Sequence, residues 1–178
     1  LFLLIREFRL NSLIVLVVLS FGFHYSVGSS PYPSNEIVVF HDYQNTLIGI
    51  KENKDVTYLH DTSQTINNRL VDDYNLDLQI TKDNFKNFPL GLQWDGGQLL
   101  IVDEHMLYDF PSLAGNLIVL RNSPKVHLDH LIQSLQPKGI IADGSNYKSY
   151  INRWKKSCES HCIELHDTST EGAFILNP

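Results

Sequence analysis

Cysteine is scarce in this chain of 178 residues: Cys158 and Cys162 are the only two. Two thiols cannot build a disulfide framework, which excludes a small secreted scaffold held by cross-links. Net positive charge is lacking as well. Twenty acidic against fourteen basic side chains leave −6 with the histidines neutral, which argues against a strongly basic nucleic-acid binder. Glycine and proline show no excess, at 10 and 7, so collagen-like and low-complexity structure are excluded too. No phosphate-binding loop and no dinucleotide fingerprint occurs. What is present is 43% hydrophobic sequence, enough to bury the core of one domain with a short appendage. The first residue is Leu1 rather than methionine, and the chain is read as a fragment or a processed product.

Charge is nearly missing from residues 1–27, where Arg6, Glu7 and Arg9 are the only carriers. The uncharged run from Ser12 to Val27 is about 16 residues long, short of the ~20 of an ordinary membrane helix, yet sufficient for a slightly short final span. Leu1 to Ile5 reads as the tail of an earlier span. Arg6 and Arg9 then fall in a tight loop that the positive-inside bias puts in the cytoplasm, with everything after Val27 on the far side. Two other readings compete: a signal peptide cleaved near Gly28-Ser29, and a buried soluble helix. Residues 28–35 form a linker whose Pro31 and Pro33 block a regular helix. The folded part is expected over residues 36–178.

Short β-branched runs open that part: Ile37–Phe40, Thr46–Ile50 and Val56–Leu59, separated by polar turns such as Asp42–Asn45. They predict an antiparallel meander. Thr62 or Ser63 is placed to cap a helix with Ile66, Leu70, Val71 and Tyr74 on its apolar face. Leu76–Ile80 and Leu90–Trp94 read as strands, and Asp95-Gly-Gly97 as a hairpin turn into Gln98–Val102. The last third alternates strand and helix: Asn116–Leu120, then a helix carrying Leu128, Leu131, Ile132 and Leu135, then Lys138–Ala142. A second helix has Tyr147, Tyr150, Ile151, Trp154 and Cys158 on one face, and strands at Ile163–His166 and Gly172–Leu176 follow. The fold class is therefore α/β (α+β), a helical half packed on a β-rich half.

Residues 28–115 carry five basic against thirteen acidic side chains, and residues 116–178 seven against six. Lys148, Arg153, Lys155 and Lys156 sit on one helix, either as a solvated outer face or as a small, salt-sensitive phosphate-contacting patch. Two groupings invite a metal reading. His127 and His130 stand three apart, but nothing nearby supplies further ligands. Cys158, His161, Cys162 and His166 crowd one helix end, where zinc, a Cys158–Cys162 disulfide and plain core packing of Cys158 are the alternatives. Asp143-Gly144-Ser145-Asn146 lies between a strand and a helix, either as a ligand-holding turn or as a tight turn at Gly144 with Ser145 or Asn146 capping the helix.

Two stretches together resemble a known family. Glu36–Ile50, followed by Val56-Thr-Tyr-Leu-His-Asp61, is similar to the opening hairpins of a metallo-β-lactamase-like domain. Leu117-Ile-Val-Leu, Leu135–Asn146, Trp154-Lys, His166-Asp-Thr and Glu171–Leu176 are similar to its closing half, and the Asp-Gly-Ser-Asn…Trp-Lys…Gly-Ala-Phe series to the C-terminal end of ComEC-type competence proteins. These are inner-membrane channels that pass single-stranded DNA during natural transformation. The resemblance implies a shortened metallo-β-lactamase-like β-sandwich with helices, preceded by one transmembrane helix at about 12–27. It departs from the family pattern at two places. A His-x-His-x-Asp-His motif expected soon after Asp61 is replaced by Thr-Ser-Gln-Thr-Ile, and a Pro-His-His-Gly-Ser element reads Asn122-Ser-Pro-Lys-Val.

The expectation is therefore a non-catalytic, extracytoplasmic tail of an inner-membrane DNA-uptake channel that needs no cofactor. Its partners are single-stranded DNA through the full channel, the membrane, and other competence proteins, with Lys148, Arg153, Lys155 and Lys156 as the DNA-contact candidates. Two rivals stand beside it: an exported stand-alone binding module of the same degenerate fold, and a metal hydrolase using His127, Asp129, His130 and His166.

Overall fold

The computed structural model describes residues 15–21, 33–61, 66–89, 91–94, 97–104 and 116–177. The chain divides into two compact units, Leu1–Tyr32 and Pro33–Pro178. In the first, residues 15–21 are helical (α1), with Val15 to Leu19 and Phe21 all exposed. No helix among the described residues is long and apolar enough to cross a membrane. The remainder of the 12–27 run lies outside the described residues.

The described residues of the second unit form two five-stranded sheets. The first has the order β10-β1-β2-β3-β4, from Phe174–Leu176, Asn35–Val39, Ile48–Glu52, Asp55–Leu59 and Lys82–Lys86. The β1–β2–β3 meander is antiparallel as the sequence predicts, and β10 adds antiparallel to β1. β4 adds parallel to β3, after α2 (Asn68–Asp77). The second sheet has the order β5-β6-β7-β8-β9, from Gly91–Trp94, Gly97–Val102, Leu117–Leu120, Gly139–Ala142 and Glu164–Asp167. β5 and β6 form the expected hairpin. β6 to β9 run parallel, joined from β7 onward through α3 (Leu128–Leu135) and α4 (Lys148–Ser160).

The period-2 alternation of side chains sorts these strands into layers. Ile37, Val39, Ile48, Leu99, Ile101, Val119 and Ile141 meet between the sheets. Val38, Val56 and Tyr58 face the other way, onto Val71, Leu70 and Tyr74 of α2. Leu100, Val102, Ile118, Leu120 and Ile140 face Leu128, Leu131, Ile132, Ile151 and Trp154 of α3 and α4. The unit is thus helix, sheet, sheet, helices, with three apolar seams. Because both faces of β7 and β8 are covered, they read as unbroken apolar runs.

Local departures from the sequence reading have physical causes. The strand expected at Leu76–Ile80 is instead the end of α2 and its exit turn, where Gln79 turns left-handed at φ 53°. The strand that follows, β4, is exposed at every position, so it carries no apolar signal. α2 starts later than expected, with the Asn67 side chain accepting from Leu70 N–H as its cap; Thr62 and Ser63 lie outside the described residues. Tyr147 precedes α4 and is 70% exposed rather than on its buried face. A one-turn helix, α5 (Thr168–Glu171), escapes the pattern and connects β9 to β10.

Candidate functional site

Parallel pairing sets Val102, Leu120, Ala142 and Asp167 abreast. The residues that follow them, Asp103, Arg121, Asp143 and Thr168, therefore leave the sheet side by side at its carboxyl edge, where α/β folds concentrate their ligand sites. The first sheet brings His41 and Asp42 after β1, Thr46 before β2 and Asp61 after β3 to the same rim. The two sheets are joined there by His41 Nδ1 to Thr168 Oγ1 at 3.1 Å, Thr46 Oγ1 to Ser145 Oγ at 3.2 Å, and three contacts of Arg121.

Arg121 is the centre of the rim. Its side chain is 4% exposed and pairs with Asp61 through one terminal nitrogen and, at 3.5 Å, with Asp103 through the other. Nε donates to Thr46 Oγ1 at 3.3 Å, and the guanidinium lies 4.2 Å from the Phe88 ring centroid. A planar fork of donors suits two carboxylates at once, which an ammonium could not serve. Of the rim carboxylates, Asp61 and Asp103 are turned onto this cation.

Beside it stands the Asp143–Asn146 turn. Asp143 is fully buried. Its Oδ1 accepts from Ser145 N–H at 3.1 Å, Ser145 Oγ at 2.5 Å and the Asn146 amide at 2.9 Å, while Oδ2 has no hydrogen-bond partner. Burial pushes the carboxyl up to about 6, against the opposing hydrogen bonds from Ser145 and Thr46 and the Arg121 charge. Neither Ser145 nor Asn146 caps α4, contrary to the sequence expectation. Ser145 Oγ instead accepts from Asn122 N–H at 2.7 Å, Asn146 Oδ1 accepts from Ser123 N–H at 2.8 Å, and Ser123 Oγ returns the tie by accepting from Tyr147 N–H at 2.8 Å. The turn therefore clamps the segment after β7. Gly144 is required by close approach, since a Cβ there would stand 2.2 Å from the Asp42 carbonyl oxygen.

On the other side of this turn lies a cleft of about 390 Å³ lined by His41, Asp143, Lys148, Lys155, Asp167 and Ser169, among others. Lys155 spans it to Asp167 at 2.7 Å. Burial works to raise the Asp167 carboxyl, but the Lys155 and Ser169 hydrogen bonds and the Lys155 charge hold it below the ordinary carboxylate range.

The basic candidates do not act as one face. Lys148 and Lys155, seven apart on α4, border the Asp143 cleft, and Lys156 is exposed. Arg153 lies on the other flank, 4.7 Å from the Tyr150 ring centroid, in a separate cleft with Lys125. The metal candidates also part company. His127 precedes α3 without a side-chain capping bond, His130 Nδ1 contacts Ser134 at 3.5 Å, Asp129 meets Ser157 and His161, and His166 contacts the Gly172 carbonyl at 2.9 Å and Glu171. Cys158 is buried and Cys162 exposed, both as free thiols. Burial, with the Asp129 and Glu159 charges, pushes Cys158 up to about 11. Among the described residues, no three of His, Cys, Asp and Glu converge to hold a metal ion.

The rim residues that sequence reasoning missed are Arg121, Asp103 and Thr46. A signal for the first two existed: Val102-Asp103 and Leu120-Arg121, like Ala142-Asp143, put a charge directly after a buried strand.

A family model for the ComEC C-terminal domain matches residues 37–178. No curated protein and no solved structure matches the chain.

Proposed function

Since the chain belongs to the ComEC C-terminal domain family, we propose that it is the tail of a competence channel for DNA uptake, standing on the extracytoplasmic side of the inner membrane behind a last span at about 12–27. The tail is a shortened metallo-β-lactamase-like domain that carries no hydrolytic chemistry. One observation carries the non-catalytic part: the rim is filled by the Arg121 guanidinium, bound to Asp61, Asp103 and Thr46. The segment after Asp61 and the Asn122–Val126 segment are where the family resemblance would set histidine ligands, and Arg121 ties Asp61 to the start of the second. A cation fixed between the available carboxylates competes with any metal for them. The four-layer order supports the fold assignment, because it has the sheet pair and outer helices that such a domain needs.

Two measurements test the reading. Labelled single-stranded DNA incubated with the purified full chain and Mn²⁺ or Zn²⁺ is expected to stay intact; metal-dependent release of nucleotides, lost on Asp61→Asn, overturns the non-catalytic assignment. The location is tested with a thiol already present. A membrane-impermeant maleimide applied outside an intact cytoplasmic membrane is expected to label the exposed Cys162 and to leave Cys158, buried against Trp154, unlabelled until denaturant is added. Labelling of Cys162 only after the cytoplasmic membrane is opened places the tail inside and overturns the topology.

A further inference from the structure

The cleft around Arg153 has a different character from the rim. It holds about 320 Å³ between the start of α3 and the outer side of α4, lined by Lys125, His127, Asp129, Tyr150, Arg153 and Trp154, with a few neighbours. Three of its features seek an anion. Lys125 and Arg153 are exposed cations, and the one acidic side chain lining the cleft with them, Asp129, is occupied by Ser157 Oγ at 3.2 Å and His161 Nε2 at 3.1 Å. α3 begins at the cleft with its N-cap, His127, making no side-chain capping bond, so its first-turn N–H groups retain capacity for an acceptor.

The same flank presents flat aromatic surface. Tyr147, 70% exposed, stands 6.4 Å from the Tyr150 ring, and Tyr150 meets Trp154 edge-on at 5.7 Å. The Arg153 guanidinium lies over Tyr150. Cations interleaved with stacking rings are the combination that holds single strands, since phosphates need charge and unstacked bases need a π-face. A duplex offers no free base faces to such rings.

We infer that this cleft is a contact site for single-stranded nucleic acid, with backbone phosphate at Lys125, Arg153 and the start of α3, and a base stacked on Tyr147 and Tyr150. The inference rests on the DNA-uptake reading for its biological strand, and it moves the contact from the Lys148, Arg153, Lys155 and Lys156 set to Arg153 with Lys125. Lys155 is excluded from it by its bond to Asp167.

The test uses the purified full chain and an oligothymidylate of about 12 nucleotides, within the ordinary range for one such site, followed by anisotropy from low to moderate salt. The unsubstituted chain is expected to bind, with affinity falling as salt rises. Lys125→Gln and Arg153→Gln are each expected to weaken binding about tenfold and to flatten the log–log salt slope by about 0.7. Tyr147→Ala is expected to weaken it about tenfold with the slope unchanged. These side chains are exposed, so thermal midpoints stay put, and Arg153→Lys, which keeps the charge and loses the ring contact, falls between. Absence of binding by the unsubstituted chain at low salt overturns the site, as does equal binding with equal slope in the Lys125 and Arg153 variants. Full displacement of the strand by inorganic phosphate at its own unaided affinity marks a small-anion pocket and also overturns it. In cells, unchanged transformation after removal of residues 33–178 overturns the DNA-uptake reading and leaves the binding result to judge the site alone.

Discussion

Arg121→Leu is expected to destabilise the Pro33–Pro178 unit by about 3–5 kcal/mol at neutral pH, the range for removing one partner of a buried ion pair. Arg121 is 4% exposed, whereas Asp61 and Asp103 are 28% and 25% exposed, so the substitution leaves two like charges facing across a mostly dry rim. It also strips Thr46 Oγ1 of its donor and removes the cation from the Phe88 face. Leucine fills much of the volume, so the loss is electrostatic rather than a cavity effect. Arg121→Lys keeps the charge but reaches one carboxylate at a time, and retains only part of the stability. The combined change Arg121→Leu, Asp61→Asn, Asp103→Asn is expected to recover most of the loss, because the two carboxylates that paired with Arg121 are then neutral. Urea unfolding of the four chains measures this. A loss below about 1 kcal/mol for Arg121→Leu would assign the trio the worth of a surface pair and remove the rim's organising role.

The reach of the sequence varies with how much of each element is buried. Leu117–Leu120 and Gly139–Ala142 are almost fully enclosed between sheet and helices, so their apolar runs announce them. α3 and α4 bury one stripe each, Leu128, Leu131 and Ile132 on one and Ile151, Trp154 and Cys158 on the other, and the helical spacing shows it. β4 buries nothing and exists by pairing with β3, a long-range fact that no local pattern carries. Leu76–Ile80 misleads because alternating Leu, Leu and Ile imitate a strand while the chain is still finishing a helix.

The site follows the same logic at finer grain. The Asp143–Asn146 turn was legible as a turn, since a glycine between a strand and a helix has few other uses. Its partners were not. Ser145 and Asn146 look like capping residues by position, and only the loop after β7, brought alongside by parallel pairing, gives them other work. Arg121 looks like any basic residue at a strand end; its burial follows from Thr46, Asp61, Phe88 and Asp103 arriving from separate parts of the chain. The charge run on α4 suffers the opposite error. Residues adjacent in sequence divide between two flanks of one helix, and Arg153 finds its companion in Lys125, from outside the run.

Asp143→Asn is expected to stabilise the same unit by about 2 kcal/mol at pH 7 and to do little at pH 4. Burial holds the folded carboxyl at about 6 against an ordinary 3.8, so the folded state binds the proton more tightly than the unfolded chain. The contribution of Asp143 is therefore fully present below about pH 4 and is lost as pH rises through 6, reaching a penalty of about 3 kcal/mol at neutral pH for a displacement of about two units. Asparagine removes the buried charge and keeps an oxygen for the Ser145 and Asn146 donors. Its amide takes the place of the unpartnered Oδ2, which costs less than a charge there and sets the gain below the full penalty. Asp167, held low by Lys155, contributes in the opposite sense: its stability is present above about pH 4 and lost below, so it is constant through the window where Asp143 titrates. Urea midpoints of the two chains from pH 4 to 8 should converge on the acid side and separate between 4 and 6. A difference independent of pH would mean that Arg121 holds Asp143 ionised throughout. Arg121→Leu, by removing the nearby cation that opposes burial, should leave the onset near pH 4, where the unfolded carboxyl titrates, and carry the upper end of the separation to higher pH.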